Sequence, residues 1–148
     1  MSAKFMFSTT IAAAAFALTS ITAGSTPAHA DWEGVEFDHN GSTVTFTASR
    51  GTIVYSWVKP SLRGTIAEGD VLFRGKIDMT QGKISGTAYV FKRGCAPAPY
   101  AVTSIKTQLG NVKLVGSAPV RDPKSCAIIG SSLSSKNAVL EFTENGDI

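Results

Sequence analysis

From Asp31 onward, short runs of β-branched and aromatic residues alternate with polar residues, and glycine, proline and asparagine separate the runs. Alternation with a period of two is typical of a half-buried strand. No segment after Asp31 shows the three- and four-residue apolar spacing of an amphipathic helix. The sequence therefore predicts an all-β domain.

The clearest turn is Asn40-Gly41, because Asn-Gly is the strongest two-residue hairpin signal. A two-residue turn fixes the register of the flanking strands and puts their apolar residues on one face, with Glu36 on the other. The expected cross-strand pairs are Phe37 with Val44 and Val35 with Phe46.

A second two-residue turn at Arg50-Gly51 selects the same buried face. Arginine disfavours the positive φ of such a turn, so a bulged turn is an alternative. The two-residue turn pairs Ala48 with Ile53, Phe46 with Tyr55 and Val44 with Trp57. Tyr55 and Trp57 are thus predicted to lie in the core and not in a carbohydrate-stacking strip. Trp32, near the start of the domain, is free to pack as a plug or to contact a partner.

A third hairpin joins residues 71–78 to residues 83–91 through the loop 79–82. The expected pairs are Ile77 with Ile84, Phe73 with Ala88 and Val71 with Val90. The same register sets Gly75 opposite Gly86, and facing glycines indicate a bend, a barrel corner or a close backbone approach. A binding groove beside them is the alternative.

Four further strands are predicted after Cys95, at 100–107, 111–115, 127–131 and 138–143, and residues beyond Thr143 are expected to fray. About eight or nine short strands with close turns are typical of a small antiparallel β-barrel or a β-sandwich. We favour the barrel, because successive hairpins dominate and the facing glycines would help the sheet to curl.

Residues 1–30 have the pattern of a cleaved signal peptide, with one charge at Lys4, an apolar stretch and a final Ala28-His29-Ala30. The apolar stretch is shorter than the roughly 20 residues that cross a bilayer, and no later segment qualifies, so no transmembrane segment is expected. Cleavage leaves one domain, 31–148, and predicts a periplasmic or secreted protein. Loss of Lys4 lowers the net charge from +3 to +2, too weak a bias to indicate a nucleic-acid partner.

Outside the cytoplasm the two thiols of a small domain usually oxidise together, which predicts a disulfide between Cys95 and Cys126. In the loop-entropy description a ring of this size stabilises the fold by about 3 to 4 kcal/mol. A redox or nucleophilic thiol is the weaker alternative, since neither cysteine belongs to a Cys-x-x-Cys pair.

No motif in the sequence identifies a catalytic, metal or cofactor site. His39 is at the predicted hairpin tip, where a solvated turn is a better interpretation than a catalytic base or a metal ligand. Phosphate-binding glycine motifs are absent, so no cofactor is expected. Four acids are formal candidates for carboxylate catalysis, and each also has a plain role on an outward strand face or in a turn. They are Glu36, Glu68, Asp70 and Asp78.

The predicted disulfide brings together two basic segments, 92–95 and 121–126. Their cations are offset by Asp122 alone and could form an anion-binding edge, with Tyr100 as an aromatic platform. These cations are Lys92, Arg93, Arg121 and Lys124. An envelope protein, an acidic glycan or a lipid head group would fit this basic edge, and an ordinary charged turn is the alternative interpretation.

Two stretches of the chain carry a resemblance to known proteins. They are Gly86-Thr87-Ala88-Tyr89-Val90-Phe91 with Cys95, Pro97 and Tyr100-Ala101-Val102, and Gly116-Ser117-Ala118-Pro119-Val120-Arg121 with Cys126. In these residues the chain resembles small exported, uncharacterised proteins of alphaproteobacteria. The resemblance implies a Gram-negative periplasm and a linking disulfide, and it transfers no activity and no catalytic residue. The expected size and architecture are also similar to small periplasmic barrel inhibitors of lysozyme and proteases, an analogy of fold alone.

Together these features favour a non-catalytic periplasmic or secreted protein that binds a component of the cell envelope, as an inhibitor or as a stress-protective factor. A small glycan or peptide hydrolase is the first alternative, for which two acids lining one cleft would be expected. A structural or assembly component is the second, for which an uncovered β-edge or a large apolar patch would be indicative.

Overall fold

The structure is a computed structural model that describes residues 33–78, 80–108 and 110–145, without the side chains of 106–108. The predicted signal peptide, Trp32 and the last three residues lie outside this part of the chain. The described fold contains ten strands and two short 3-10 turns, Ala48–Arg50 and Pro60–Leu62. The strands are β1 (Glu33–His39), β2 (Ser42–Thr47), β3 (Thr52–Trp57), β4 (Val71–Asp78), β5 (Lys83–Val90), β6 (Ala98–Gln108), β7 (Asn111–Val115), β8 (Ala118–Arg121), β9 (Ile128–Ser132) and β10 (Val139–Glu144).

Eight of these strands form a closed antiparallel barrel in the order β1, β10, β7, β6, β5, β4, β3, β2. Most neighbours in the barrel are consecutive in the chain, as in an up-and-down barrel. Strands β8 and β9 form a separate hairpin inserted between β7 and β10. The barrel closes where β1 pairs with β10, with Phe37 opposite Glu144. The predicted small antiparallel barrel is confirmed, and the sandwich alternative is not formed.

The first hairpin has the predicted register, with Phe37 opposite Val44 and Val35 opposite Phe46. Its turn residues Asn40 and Gly41 both have positive φ, 54° and 79°, as this two-residue turn requires. The turn therefore determines which residues of β1 and β2 enter the barrel.

The third hairpin also has the predicted register, with Ile77 opposite Ile84 and Phe73 opposite Ala88. Gly75 faces Gly86, and a Cβ atom added to Gly86 would lie 2.6 Å from the Gly75 Cα. The two glycines thus allow a close approach of two backbones, the structural interpretation of the pair. The ladder ends at the Phe73 pair, so the predicted pairing of Val71 with Val90 is wrong.

The second hairpin differs from the prediction, because its connection is longer than two residues. A 3-10 turn at Ala48–Arg50 leads into Gly51, whose φ is +62°. Phe46 consequently pairs with Ile53 and Val44 pairs with Tyr55. This register differs from the predicted one by two residues. In this connection only Gly51 has a positive φ, and Arg50 does not. A two-residue turn would have required a positive φ at Arg50, which arginine disfavours. A shift of two residues leaves the same face buried.

Trp57 was predicted to lie in the core, and this prediction is wrong. An extra residue in β3, Ser56, shifts the ladder between Val44 and Thr43 and places Trp57 opposite Thr43. Trp57 is 42% exposed. The Arg63 guanidinium lies 6.0 Å from its ring centroid. Tyr55, on the same strand, is 4% exposed, so the core prediction is confirmed for Tyr55 only.

The strands after Cys95 match the predicted ones within about two residues, apart from β8, which was not predicted. Strand β8 has four residues, and one of them is Pro119. Proline lacks the N–H group that a central strand donates to its neighbour, so the segment carries a weak strand signal. Its partner β9 corresponds to the predicted strand 127–131.

The barrel interior is filled by apolar side chains that alternate inward along the strands. Phe46 lies at its centre, with its ring 4.5 Å from that of Phe37 and 5.2 Å from that of Phe142. All three side chains are at most 1% exposed. A filled interior of this kind is typical of small eight-stranded barrels, so space for a ligand is expected only near a mouth.

The predicted disulfide is confirmed. Cys95 and Cys126 have an S–S distance of 2.02 Å and a Cα–Cα distance of 5.5 Å. The bond links the loop between β5 and β6 to the loop between β8 and β9. It therefore attaches the inserted hairpin to the wall of the barrel.

Candidate functional site

A cavity of about 420 Å³ opens at one mouth of the barrel. It lies between the tip of the first hairpin, the segment that follows β3, the end of β5 and the segment around the start of β10. Its volume is within the range of about 300 to 1,000 Å³ that is usual for small-molecule sites. We call it the mouth cavity. The residues that line it are His39, Asn40, Tyr55, Lys59, Leu62, Thr65, Ile66, Leu72, Tyr89, Val90, Phe91, Tyr100, Lys136, Asn137 and Leu140.

The charged groups of the mouth cavity, among the described residues, are cationic. Lys59 and Lys136 line it, and no aspartate or glutamate does. The Lys59 Nζ donates a hydrogen bond to the Asn40 carbonyl at 2.7 Å, which uses one of its three N–H groups. Lys136 is exposed and has no hydrogen bond or ion pair with the residues that the structure describes. The cavity wall therefore favours an anion.

Two tyrosines give the mouth cavity polar groups on an aromatic wall. The Tyr100 hydroxyl donates to the Asn137 carbonyl at 2.5 Å, and burial raises the pKa of this phenol to about 12. Tyr55 is 4% exposed, and its hydroxyl has no hydrogen-bond partner within the described chain. Burial, with a smaller effect of the Asp70 carboxylate, raises the Tyr55 pKa well above its usual value. Both phenols thus stay protonated. The Tyr55 hydroxyl can donate to a ligand, whereas the Tyr100 hydroxyl already donates its one hydrogen to Asn137.

His39 was predicted to lie in a solvated turn, and this prediction is wrong. The side chain is 5% exposed and its ring stacks on Phe142 with a centroid distance of 4.9 Å. The Nδ1 atom is 2.9 Å from the Glu141 carbonyl oxygen, which assigns the proton to Nδ1 as donor. His39 follows Phe37 by two residues, so the alternation of β1 turns it inward. That alternation was the available sequence signal.

The burial of His39 predicts a pH-dependent stability. Desolvation lowers the His39 pKa below 6.5 and outweighs the Glu141 carbonyl and the Asp38 charge, which act in the opposite direction. As pH falls below that value, the unfolded chain takes up a proton that the folded protein resists, so the free energy of unfolding decreases. We expect urea unfolding from about pH 8 to about pH 5.5 to show this loss relative to a His39→Phe variant. Parallel pH profiles of the two proteins would show that the imidazole is solvated.

Two cations of the predicted basic edge donate hydrogen bonds to backbone carbonyl oxygens of the same chain. The Lys92 ammonium donates to the carbonyl oxygens of Asp122 at 2.9 Å and Ser125 at 2.8 Å, with Pro123 at 3.4 Å. The Arg121 guanidinium donates to the carbonyl oxygens of Cys126, at 2.9 Å, and Ala96. An ammonium has three N–H donors, so the contacts of Lys92 account for its capacity. Both side chains hold the loops that the disulfide connects.

The other members of that edge do not take part in these contacts. Arg93 is exposed, and its guanidinium lies against Gly64. Lys124 is exposed in the loop between β8 and β9. Tyr100 is 8% exposed and faces the mouth cavity, so it does not form a platform on an open surface. Arg93 and Lys124 are the cations of the set that remain open to solvent.

The four acids considered for catalysis do not line the mouth cavity. Glu36 and Glu68 are exposed, as an outward strand face and a turn predict. Asp70 accepts a hydrogen bond from the Ala67 N–H at 2.8 Å, and Asp78 accepts one from the Gln81 N–H at 3.1 Å. Both aspartates thus stabilise turns. Among the described residues, no three histidine, cysteine or acidic side chains form a group that could hold a metal ion.

The mouth cavity itself was missed by sequence reasoning, apart from Tyr55, His39 and Tyr100 as individual residues. Lys59 and Lys136 come from connecting segments far apart in the chain, and no spacing relates them.

No helix in the described part of the chain has the length and hydrophobicity needed to cross a bilayer. Comparison of the chain with protein-family models, curated proteins and solved structures finds no match.

Proposed function

We propose that this chain is a non-catalytic, exported binding protein of the cell envelope that holds a small ligand in the mouth cavity. The observation that carries the proposal is a concave site with several rings, two lysines and the Tyr55 hydroxyl, which has no hydrogen-bond partner within the described chain. Concave sites that combine apolar walls with a few polar groups are the usual ligand sites of small barrels.

Export is supported by the leader pattern of residues 1–30 and by the disulfide, which is typical of oxidising compartments. In cell fractionation of a Gram-negative host we expect the protein in the periplasmic extract, with Asp31 as its first residue by mass spectrometry. A cytoplasmic protein that retains Met1 would contradict this part of the proposal.

The hydrolase alternative receives no support from the mouth cavity, because carboxylate catalysis needs two acids at one cleft. None of the acids in the described residues lines it. A non-catalytic role therefore accounts better for this site.

A second candidate function, an assembly component, is favoured by the exposed apolar residues of the inserted hairpin. Ile128 is 50% exposed, Ile129 is 62% exposed and Leu133 is 68% exposed. Exposed apolar patches mark interaction surfaces. Sedimentation of the native protein beside Ile129→Lys tests this candidate. Self-association that the variant abolishes would support it, and a native monomer at all concentrations would count against self-assembly.

Ligand binding is tested with two fluorescent probes, anionic anilinonaphthalene sulfonate and neutral phenylnaphthylamine. We expect at least one probe to bind the native protein with enhanced emission, and Thr65→Trp to abolish the signal because the indole fills the cavity that Thr65 lines. Ser61→Trp is the matched control, since Ser61 is exposed on the same segment and does not line the cavity. Emission that persists in Thr65→Trp, or is absent with both probes, would overturn the proposal.

A further inference from the structure

Three side chains of the mouth cavity keep hydrogen-bond donors that no described residue uses. Lys59 keeps two N–H groups beyond its bond to Asn40, and Lys136 keeps all three with respect to the described residues. The Tyr55 hydroxyl also has no hydrogen-bond partner within the described chain, and Tyr55 lines the cavity. The backbone carbonyls of Asn40 and Asn137 each already accept one hydrogen bond, from Lys59 and Tyr100. A ligand that pairs with these three donor groups must supply acceptors.

The wall of the mouth cavity contains aromatic rings as well as aliphatic side chains. The His39 and Tyr55 centroids are 6.3 Å apart, and the Tyr55 and Phe91 centroids are 6.0 Å apart at an interplanar angle of 79°. Tyr89 and Tyr100 also line the space. An aromatic ligand ring can contact the wall rings edge-to-face or offset, the arrangements that aromatic groups prefer.

The depth of the mouth cavity limits the ligand's length. Below it, the barrel axis is filled by side chains that are at most 1% exposed, including Phe46 and Phe73, and neither residue lines the cavity. A long acyl chain would need a channel through this core. A compact, flat body fits the available space better.

We infer that the mouth cavity binds a small molecule with a compact aromatic body and one anionic group, a carboxylate or a phosphate. In this arrangement the anion faces Lys59 and Lys136, and the ring lies among the tyrosines. The inference rests on the proposed function and adds the chemical class of the ligand. Charge-assisted hydrogen bonds to an anion are the strong ones, so they determine which ligand is selected.

The test is calorimetric titration of the native protein with naphthalene probes that share one ring system and differ in charge. The probes are naphthoate, neutral naphthamide and cationic naphthylmethylamine, with naphthyl phosphate and decanoate added. We expect naphthoate to bind roughly tenfold more tightly than naphthamide, and naphthylmethylamine to bind more weakly than both. Naphthyl phosphate compared with naphthoate distinguishes the two anionic groups, and decanoate is expected to bind more weakly than naphthoate.

The lysines are tested with Lys136→Gln and with the double variant Lys59→Gln, Lys136→Gln. We expect each to weaken naphthoate binding, the double variant to the level of naphthamide, while naphthamide binding stays unchanged. Unchanged naphthamide binding also reports an intact cavity, and Lys136 has no partner in the described chain whose loss could disturb folding. Lys124→Gln, in a loop away from the cavity, is the control and should bind like the native protein.

The outcomes separate the two proposals. Equal affinity for naphthoate, naphthamide and naphthylmethylamine would overturn the claim that the ligand is anionic, and so would lysine variants that bind naphthoate like the native protein. Either result leaves the cavity as a binding site. Tighter binding of decanoate than of naphthoate overturns the aromatic body. If no probe binds, both the ligand class and the proposed binding function are overturned.

Discussion

Replacement of Gly51 by alanine is expected to lower the free energy of unfolding by about 4 kcal/mol. The φ of Gly51 is +62°, where a Cβ atom is strained, and an added Cβ would lie 1.9 Å from the Gly75 carbonyl oxygen. The Gly75 N–H donates to the Gly51 carbonyl at 2.8 Å, so the two backbones cannot separate without losing this bond. Chemical denaturation of Gly51→Ala beside the native protein measures the effect.

Gly34→Ala is the matched control for this prediction. Its φ is +75°, but no heavy atom lies within 4 Å of an added Cβ. The control therefore carries the backbone strain without the collision, and we expect a loss of about 1 to 2 kcal/mol. Equal losses in the two variants would show that the close contact between β3 and β4 at Gly51 is wrong.

The second large effect is expected for Phe46→Ala, which should lower the free energy of unfolding by about 3 to 5 kcal/mol. Phe46 is 0% exposed and its ring contacts Phe37 and Phe142 on the two strands where the barrel closes. Removal of the ring leaves a cavity that the closed barrel cannot collapse to fill. Urea unfolding monitored by circular dichroism measures the loss.

Trp57→Ala serves as the control for Phe46→Ala, because it also removes an aromatic ring from the second hairpin. Trp57 is 42% exposed and contacts Arg63, so we expect a loss of about 1 kcal/mol or less. A larger loss for Trp57→Ala than for Phe46→Ala would restore the register in which Trp57 belongs to the core.

The predictable part of the fold is the part in which one local turn determines a whole register. Asn40-Gly41 does this for β1 and β2, and the structure has the predicted pairs there. At Gly51 the same reasoning fails, because a 3-10 turn absorbs two further residues before the strand resumes. The buried face is nevertheless predicted, since a shift of two residues preserves the alternation.

The site was less predictable than the fold, for a physical reason. The barrel mouth is built from connections, and Lys59, Thr65 and Lys136 reach it through tertiary folding without a periodic pattern. His39 shows the opposite case, because its spacing from Phe37 predicts an inward side chain that its place beside a turn obscured. The disulfide followed from the expected compartment and the number of cysteines, which need no knowledge of the fold.

The central claim, that the mouth cavity is the binding site of this protein, is tested most directly by amide chemical-shift mapping during titration with naphthoate. The account predicts saturable shifts that cluster around His39, Thr65 and Asn137, which line the cavity from three separate segments. Shifts that cluster instead at Arg93 and Lys124, or along β9, would place binding on another surface and contradict the account.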